Sequence, residues 1–218
     1  MVASNIHDPD FPWVMPTSAL EGILLKGSES DQVDKIFLEV VADPRARDLM
    51  EDFESCCDGG RPDAFTIEHS LTTCWVAGAI CHVRGLDPDY VIAGMQAGLL
   101  HDVAKQGEAF QRIIHIRRRW SKDERSGIRS HPEIGARLVA EAGLPGIVSM
   151  AVLTHHGFQH DPYGGDPQEV FGPFELGDKQ LSPELEVAAA VACADTYSAA
   201  RTERPDRPGS RLYLPWYG

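Results

Sequence analysis

An apolar run, Ala97-Gly-Leu-Leu, leads directly into adjacent His101 and Asp102, with Lys105 three residues further on. An imidazole beside a carboxylate at the end of such a helix is costly to bury unless something compensates the pair. A divalent cation does so, because it takes oxygen and imidazole nitrogen together. The chain supplies more residues of the same kind: His69, His131, His155, His156 and Asp195 all lie in or beside helix-forming stretches. Asp195 ends the apolar run Val187-Ala-Ala-Ala-Val-Ala-Cys-Ala, where an unpaired carboxylate is poorly tolerated. Taken singly, each residue has a plain structural explanation. A lone buried His is commonly satisfied by hydrogen bonds, and an Arg partner serves Asp195 as well as a metal does. Together they are harder to explain, since five helices each offer a ligand type where polar side chains are disfavoured.

At 218 residues, 43% hydrophobic and 24% charged, the chain can bury a proper core and reads as one domain with a small N-terminal extension. Its net charge of −13 sets it against long nucleic acid, which the field repels unless a local basic strip overrides it. The cysteines, Cys56, Cys57, Cys74, Cys81 and Cys193, form no C-x-x-C pair. Three of them fall in apolar helical stretches, where Cys behaves as a small hydrophobe, while the vicinal Cys56-Cys57 pair is a redox candidate. No cationic region followed by an apolar core marks a signal peptide, and no apolar run approaches the roughly 18 residues that span a bilayer. The expectation is a cytoplasmic protein with no membrane partner, and a homodimer is left open.

Residues 1–30 read as a loosely packed arm with isolated Phe11, Trp13 and Leu20. Val33, Ile36, Phe37, Val40 and Val41 then recur at helical spacing, and a second short helix starts near Pro44 and runs to about Phe53. Gly59-Gly-Arg-Pro62 breaks the chain before the main domain. From there the reading is helical almost throughout: Thr66 to Gly85, Asp87-Pro88 onward, Ser130 to Gly143, 146–156, and Leu185 to about Ala200. Ser130-His-Pro-Glu133 is a capping-box signature. Residues 106–129 form a basic strip containing Arg112, Arg117, Arg118, Arg119, Lys122, Arg125 and Arg129. Residues 158–181 read as a long loop, either a lid or an unspecific surface segment. The expected fold is an all-α bundle: an extension over 1–64, the main domain over 65–205, and a tail over 206–218 that packs back through Leu212, Tyr213, Leu214, Trp216 and Tyr217.

The order H … HD … H … HH … D resembles the HD superfamily of metal-dependent phosphohydrolases. Glu68-His-Ser-Leu71 is similar to the first-histidine helix, and Gly98-Leu-Leu-His-Asp-Val-Ala-Lys105 resembles the family's LLHDIGK segment. Ser130-His-Pro-Glu-Ile-Gly135 and His155-His156-Gly157 resemble the later ligand segments. The stretch from Ala192 to Arg201 is similar to the end of the HD domain of ribonuclease Y, and Thr202 to Arg207 resembles HD-GYP cyclic-di-GMP phosphodiesterases. Two departures stand out. Phe65 occupies the place of an HD-GYP Glu, and the GYP loop is blurred to Asp161-Pro-Tyr-Gly-Gly-Asp166. The reading expects no counterpart of ribonuclease Y's membrane anchor and RNA-binding domain.

The resemblance implies a centre of two divalent metal ions, Fe or Mn foremost, with Ni, Co, Mg and Zn as further candidates. His69, His101, Asp102 and Asp195 would hold one ion. Asp102 would bridge to a second held by His131 and His155, with His156 a supporting group or alternative ligand. Asp102 and Lys105 are the candidate catalytic residues; Lys105 either reaches a phosphate oxygen or is a solvated helix end. The basic strip either draws a small phosphorylated substrate or neutralises the acidic N-terminal region. The expected reaction is hydrolysis of a phosphomonoester or phosphodiester of a nucleotide or other small molecule. The alternative is a mixed-valent di-iron oxygenase, and a third reading is a non-catalytic nucleotide sensor.

Overall fold

A computed structural model describes residues 28–55, 64–114, 120–175 and 181–201. Several expectations fall outside them: the arm over 1–27, Cys56-Cys57, the Gly59–Pro62 break, Arg117 to Arg119, the loop segment 176–180 and the tail from 202 on. Among the described residues every regular element is helical: α1 (Ser28–Val41), α2 (Pro44–Ser55), α3 (Ala64–Val83), α4 (Pro88–Leu100), α5 (Glu108–Ile114), α6 (Lys122–Ile128), α7 (His131–Glu141), α8 (Gly146–Thr154), α9 (Pro167–Phe171) and α10 (Pro183–Arg201). A 3-10 turn, Val103–Gln106, follows α4. No described helix is long and apolar enough to cross a membrane.

The bundle is organised on α3 and α4, both apolar nearly all round; α10 packs on both and α8 on α4. Met95, Leu99 and Leu100 are fully buried at their contact. The two backbones come close at Gly98, where an added Cβ would stand 2.8 Å from the Thr73 carbonyl oxygen and 2.9 Å from Cys74 Cα. Around this pair, α1 lays down its expected stripe of Val33, Ile36, Phe37 and Val40, all buried, and Trp75 Nε1 donates to Asp34 Oδ1 at 2.8 Å. The last helix starts at Pro183, two residues ahead of the expected Leu185, with Ser182 Oγ accepting from Leu185 N at 3.2 Å. Gly85 ends α3 in the left-handed region at φ 75°.

Three expectations are corrected. The capping box at Ser130 does not form. Ser130 has helical dihedrals (φ −84°, ψ −8°) because it still belongs to the turn closing α6, and its hydroxyl donates back to the Gly127 carbonyl at 2.8 Å. The same S-x-x-E pattern one helix earlier is the one used. Ser121 N donates to Glu124 Oε2 at 2.6 Å and Glu124 N to Ser121 Oγ at 3.2 Å, so part of the basic strip is helical. The long loop contains α9, whose Asp166 side chain accepts from Gln168 N. Cys193 is exposed, while Cys74 and Cys81 are buried as small hydrophobes; burial pushes the Cys81 thiol up to about 12.

Candidate metal centre

Every candidate ligand arrives in one place. α3 carries His69, the end of α4 carries His101 and Asp102, α7 opens with His131, α8 ends at His155-His156, and α10 carries Asp195. All are buried. They form two adjoining groups of potential ligand atoms. His69, His101 and Asp195 make one, and Asp102, His131, His155 and His156 the other, with the atoms of each group within 4.8 Å of one another. Asp102 faces both. Its Oδ2 lies 3.5 Å from His101 Nε2 and 3.8 Å from His69 Nε2, and its Oδ1 lies 3.1 Å from His131 Nε2 and 3.9 Å from His155 Nε2. Asp195 also spans the groups, with Oδ1 3.2 Å from His69 Nε2 and Oδ2 3.7 Å from His156 Nδ1.

The helix ends explain how the imidazoles are aimed. The last carbonyls of a helix lack an intrahelical donor. His101 Nδ1 donates to Gly98 O at 2.8 Å, His131 Nδ1 to Ile128 O at 2.7 Å and His155 Nδ1 to Val152 O at 2.6 Å. Each ring therefore satisfies an orphan carbonyl on the helix it follows. Its proton is committed to Nδ1, so Nε2 presents a lone pair inward. His131 Nε2 and His155 Nε2 meet at 3.2 Å, and His69 Nε2 and His101 Nε2 at 3.1 Å. Asp102 Oδ1 is buried without a hydrogen-bond donor. Acceptors converging on acceptors are repulsive unless a cation stands among them. The donor set, imidazole nitrogen with carboxylate oxygen, suits a divalent transition metal.

Burial favours the neutral imidazoles. It drives His131 and His155 down to about 4 and also lowers His101 and His156. Burial alone would raise the carboxyls of Asp102 and Asp195; positive charge gathered in acid on His101 and the neighbouring imidazoles, and the Lys105 ammonium beside Asp102, hold them well below the ordinary carboxylate value. The lowered histidines make the metal-free protein acid-sensitive. The unfolded chain takes up these protons near the ordinary value of 6.5 and the folded chain only near 4, so stability is full above pH 6.5 and falls as pH drops through that window. Chemical denaturation of metal-free protein at pH 7.5 and pH 4.5 is expected to show a loss of a few kcal/mol; equal stability at both values would contradict the burial of neutral imidazoles.

Other residues complete the site. Lys105 Nζ lies 2.6 Å from Asp102 Oδ2, and Gln111 Nε2 donates to the Lys105 carbonyl at 2.7 Å. His156 is held by the Gln159 amide, 2.6 Å from its Nδ1, and its Nε2 is buried with no partner. Tyr163 stacks on the His156 ring with centroids 4.2 Å apart. Arg129 lies over the Tyr163 ring, 5.2 Å from its centroid, and pairs with Asp161. Gln159 and Tyr163 of the expected loop thus lie against one ligand group. Gln159 and Ser198 were not singled out by the sequence, since neither stands out in its local pattern, and Tyr163 entered only as part of the blurred Asp161–Asp166 loop. Of the basic strip, Arg112 pairs with Glu108 and Arg125 donates to Trp120 O at 2.8 Å, both locally.

The HD domain family matches residues 66–200. The chain belongs to the HD domain family. A cyclic di-GMP phosphodiesterase of Pseudomonas aeruginosa is 27% identical over 180 residues, covering 83% of this chain and 39% of the relative. A ribonuclease Y of a Nitratiruptor species is 30% identical over 143 residues, covering 66% of this chain and 18% of the relative. The chain thus spans well under half the length of either. No solved structure gives a significant match.

Proposed function

We propose that this HD domain is a metal-dependent phosphohydrolase that cleaves a phosphomonoester or phosphodiester of a nucleotide or another small phosphorylated molecule. The observation that carries this reading is two close Nε2–Nε2 contacts between buried imidazoles, His69 to His101 at 3.1 Å and His131 to His155 at 3.2 Å, flanked by two buried carboxylates. Two divalent ions fit this donor set, one held by His69, His101, Asp102 and Asp195, the other by Asp102, His131 and His155, with His156 as supporting group or alternative ligand. Such a pair supplies a water made nucleophilic near neutral pH and positive charge for the entering and leaving oxygens. The chain's own part is to keep His101, His131 and His155 neutral and the carboxylates ionised, and to exclude bulk water by burial. With Asp102 engaged by cations, the Lys105 ammonium is free to turn to a phosphate oxygen. The name of the phosphodiesterase relative supports trying cyclic dinucleotides first.

Metal analysis of protein purified without chelator, followed by phosphate-release assays on nucleotides and cyclic dinucleotides, tests the reading. Bound divalent metal with release from at least one ester is expected. Dioxygen uptake by iron-loaded protein with no ester cleaved would overturn it in favour of the oxygenase alternative. Lys105→Met is expected to keep its metal while kcat/KM falls roughly ten- to a hundredfold, the worth of a charge-assisted hydrogen bond. Metal loss in that variant, measured by elemental analysis, would make Lys105 a support for Asp102 instead.

A further inference from the structure

His69 cannot be aimed as the other imidazoles are. It stands inside α3, where the carbonyls behind it are already committed to the helical ladder, and its own carbonyl also accepts from Thr73 Oγ1 at 2.8 Å. Its Nδ1 instead meets Ser198 Oγ at 2.8 Å, a contact between residues 129 positions apart. Both residues are buried, Ser198 completely. The Ser198 hydroxyl donates to the His69 carbonyl at 3.4 Å, which turns its oxygen lone pairs toward the ring.

We infer that Ser198 is a positioning residue for the ion-binding group of His69, His101 and Asp195. By accepting the His69 Nδ1 proton it fixes that tautomer and holds the Nε2 lone pair toward His101 and Asp195. It does for His69 what the Gly98, Ile128 and Val152 carbonyls do for the other rings, and partners of this kind orient a ligand and raise its basicity. Ser198 lies on the same helix as Asp195, so α10 delivers a carboxylate and the orientation of its imidazole partner together. The effect on metal binding rests on the two-ion reading above; the effect on the His69 tautomer does not.

The test uses Ser198→Ala, Ser198→Thr and, as control, Thr196→Ala, which removes a hydroxyl bonded only to its own helix at Ala192 O. Alanine suits a helix interior, so the substitution at 198 leaves the fold in place. Nitrogen NMR of the metal-free full chain reads the His69 tautomer. The Nδ1–H form is expected to dominate in the wild type, Ser198→Thr and the control, and to give way to a mixture in Ser198→Ala. Titration with Mn(II) is expected to show one of two ions bound roughly 10- to 100-fold more weakly in Ser198→Ala, the other unchanged, and near wild-type binding in Ser198→Thr. An unchanged tautomer with both affinities intact in Ser198→Ala would overturn the inference. A wild type that binds no divalent ion would overturn the proposed function, while the tautomer still decides the role of Ser198.

Discussion

Asp102→Ala is expected to remove both bound ions and all measurable ester hydrolysis while leaving the helical circular-dichroism signal nearly intact. Among the proposed ligands, Asp102 turns Oδ2 toward His69 and His101 and Oδ1 toward His131 and His155. Without it, the group of His131, His155 and His156 loses its only carboxylate and the group of His69 and His101 is left with Asp195 alone. The loss should exceed the roughly 10- to 100-fold that removing a supporting residue costs. The fold is expected to survive because a buried carboxylate contributes little net stability after its desolvation, and because Lys105, left without its partner, is near enough to the surface to reach water. Elemental analysis beside activity decides the matter. Full metal content in the variant would show that Asp102 bridges nothing.

Gly98→Ala is expected to strike the fold itself. The new Cβ would stand 2.8 Å from the Thr73 carbonyl oxygen and 2.9 Å from Cys74 Cα, and backbone cannot swing aside as a side-chain tip can. α3 and α4 must part, at a cost of about 1–3 kcal/mol for overpacking, or a fall of several degrees in Tm for a chain of about this size. Parting these helices also separates His69 from His101, so metal affinity falls with stability. Gly146→Ala makes the contrast: nothing lies within 4 Å of a Cβ there, and its melting point should hold or rise. A Gly98→Ala protein melting with the wild type would mean that the two helices are less closely engaged than this packing requires.

How much of this could be read from the residues follows from what each signal encodes. The apolar periodicity of α1 and the continuous apolar runs of α3 and α4 are local, and they announced the all-α bundle. His101-Asp102, His131, His155-His156 and Asp195 were legible because polar side chains in apolar surroundings are costly, and the structure brings them together. What failed was the choice between equal local patterns. Ser121 and Ser130 both begin S-x-x-E, and only the backbone turn that ends α6 decides that Ser130 points its hydroxyl backwards. What stayed invisible was tertiary. Ser198 is an ordinary helical serine until α10 lies on α3, and Tyr163 is a loop aromatic until the chain folds back onto His156.

The distance along the chain between His69 and its serine has a consequence for biogenesis. A polypeptide emerging from the ribosome can complete α3, α4, α7 and α8 and still lack the proposed first ion site, because both the Asp195 carboxylate and the Ser198 hydroxyl that meets His69 arrive with the final described helix. Ion uptake at that site therefore reports docking of α10, and stopped-flow metal binding during refolding should lag behind the gain of helix.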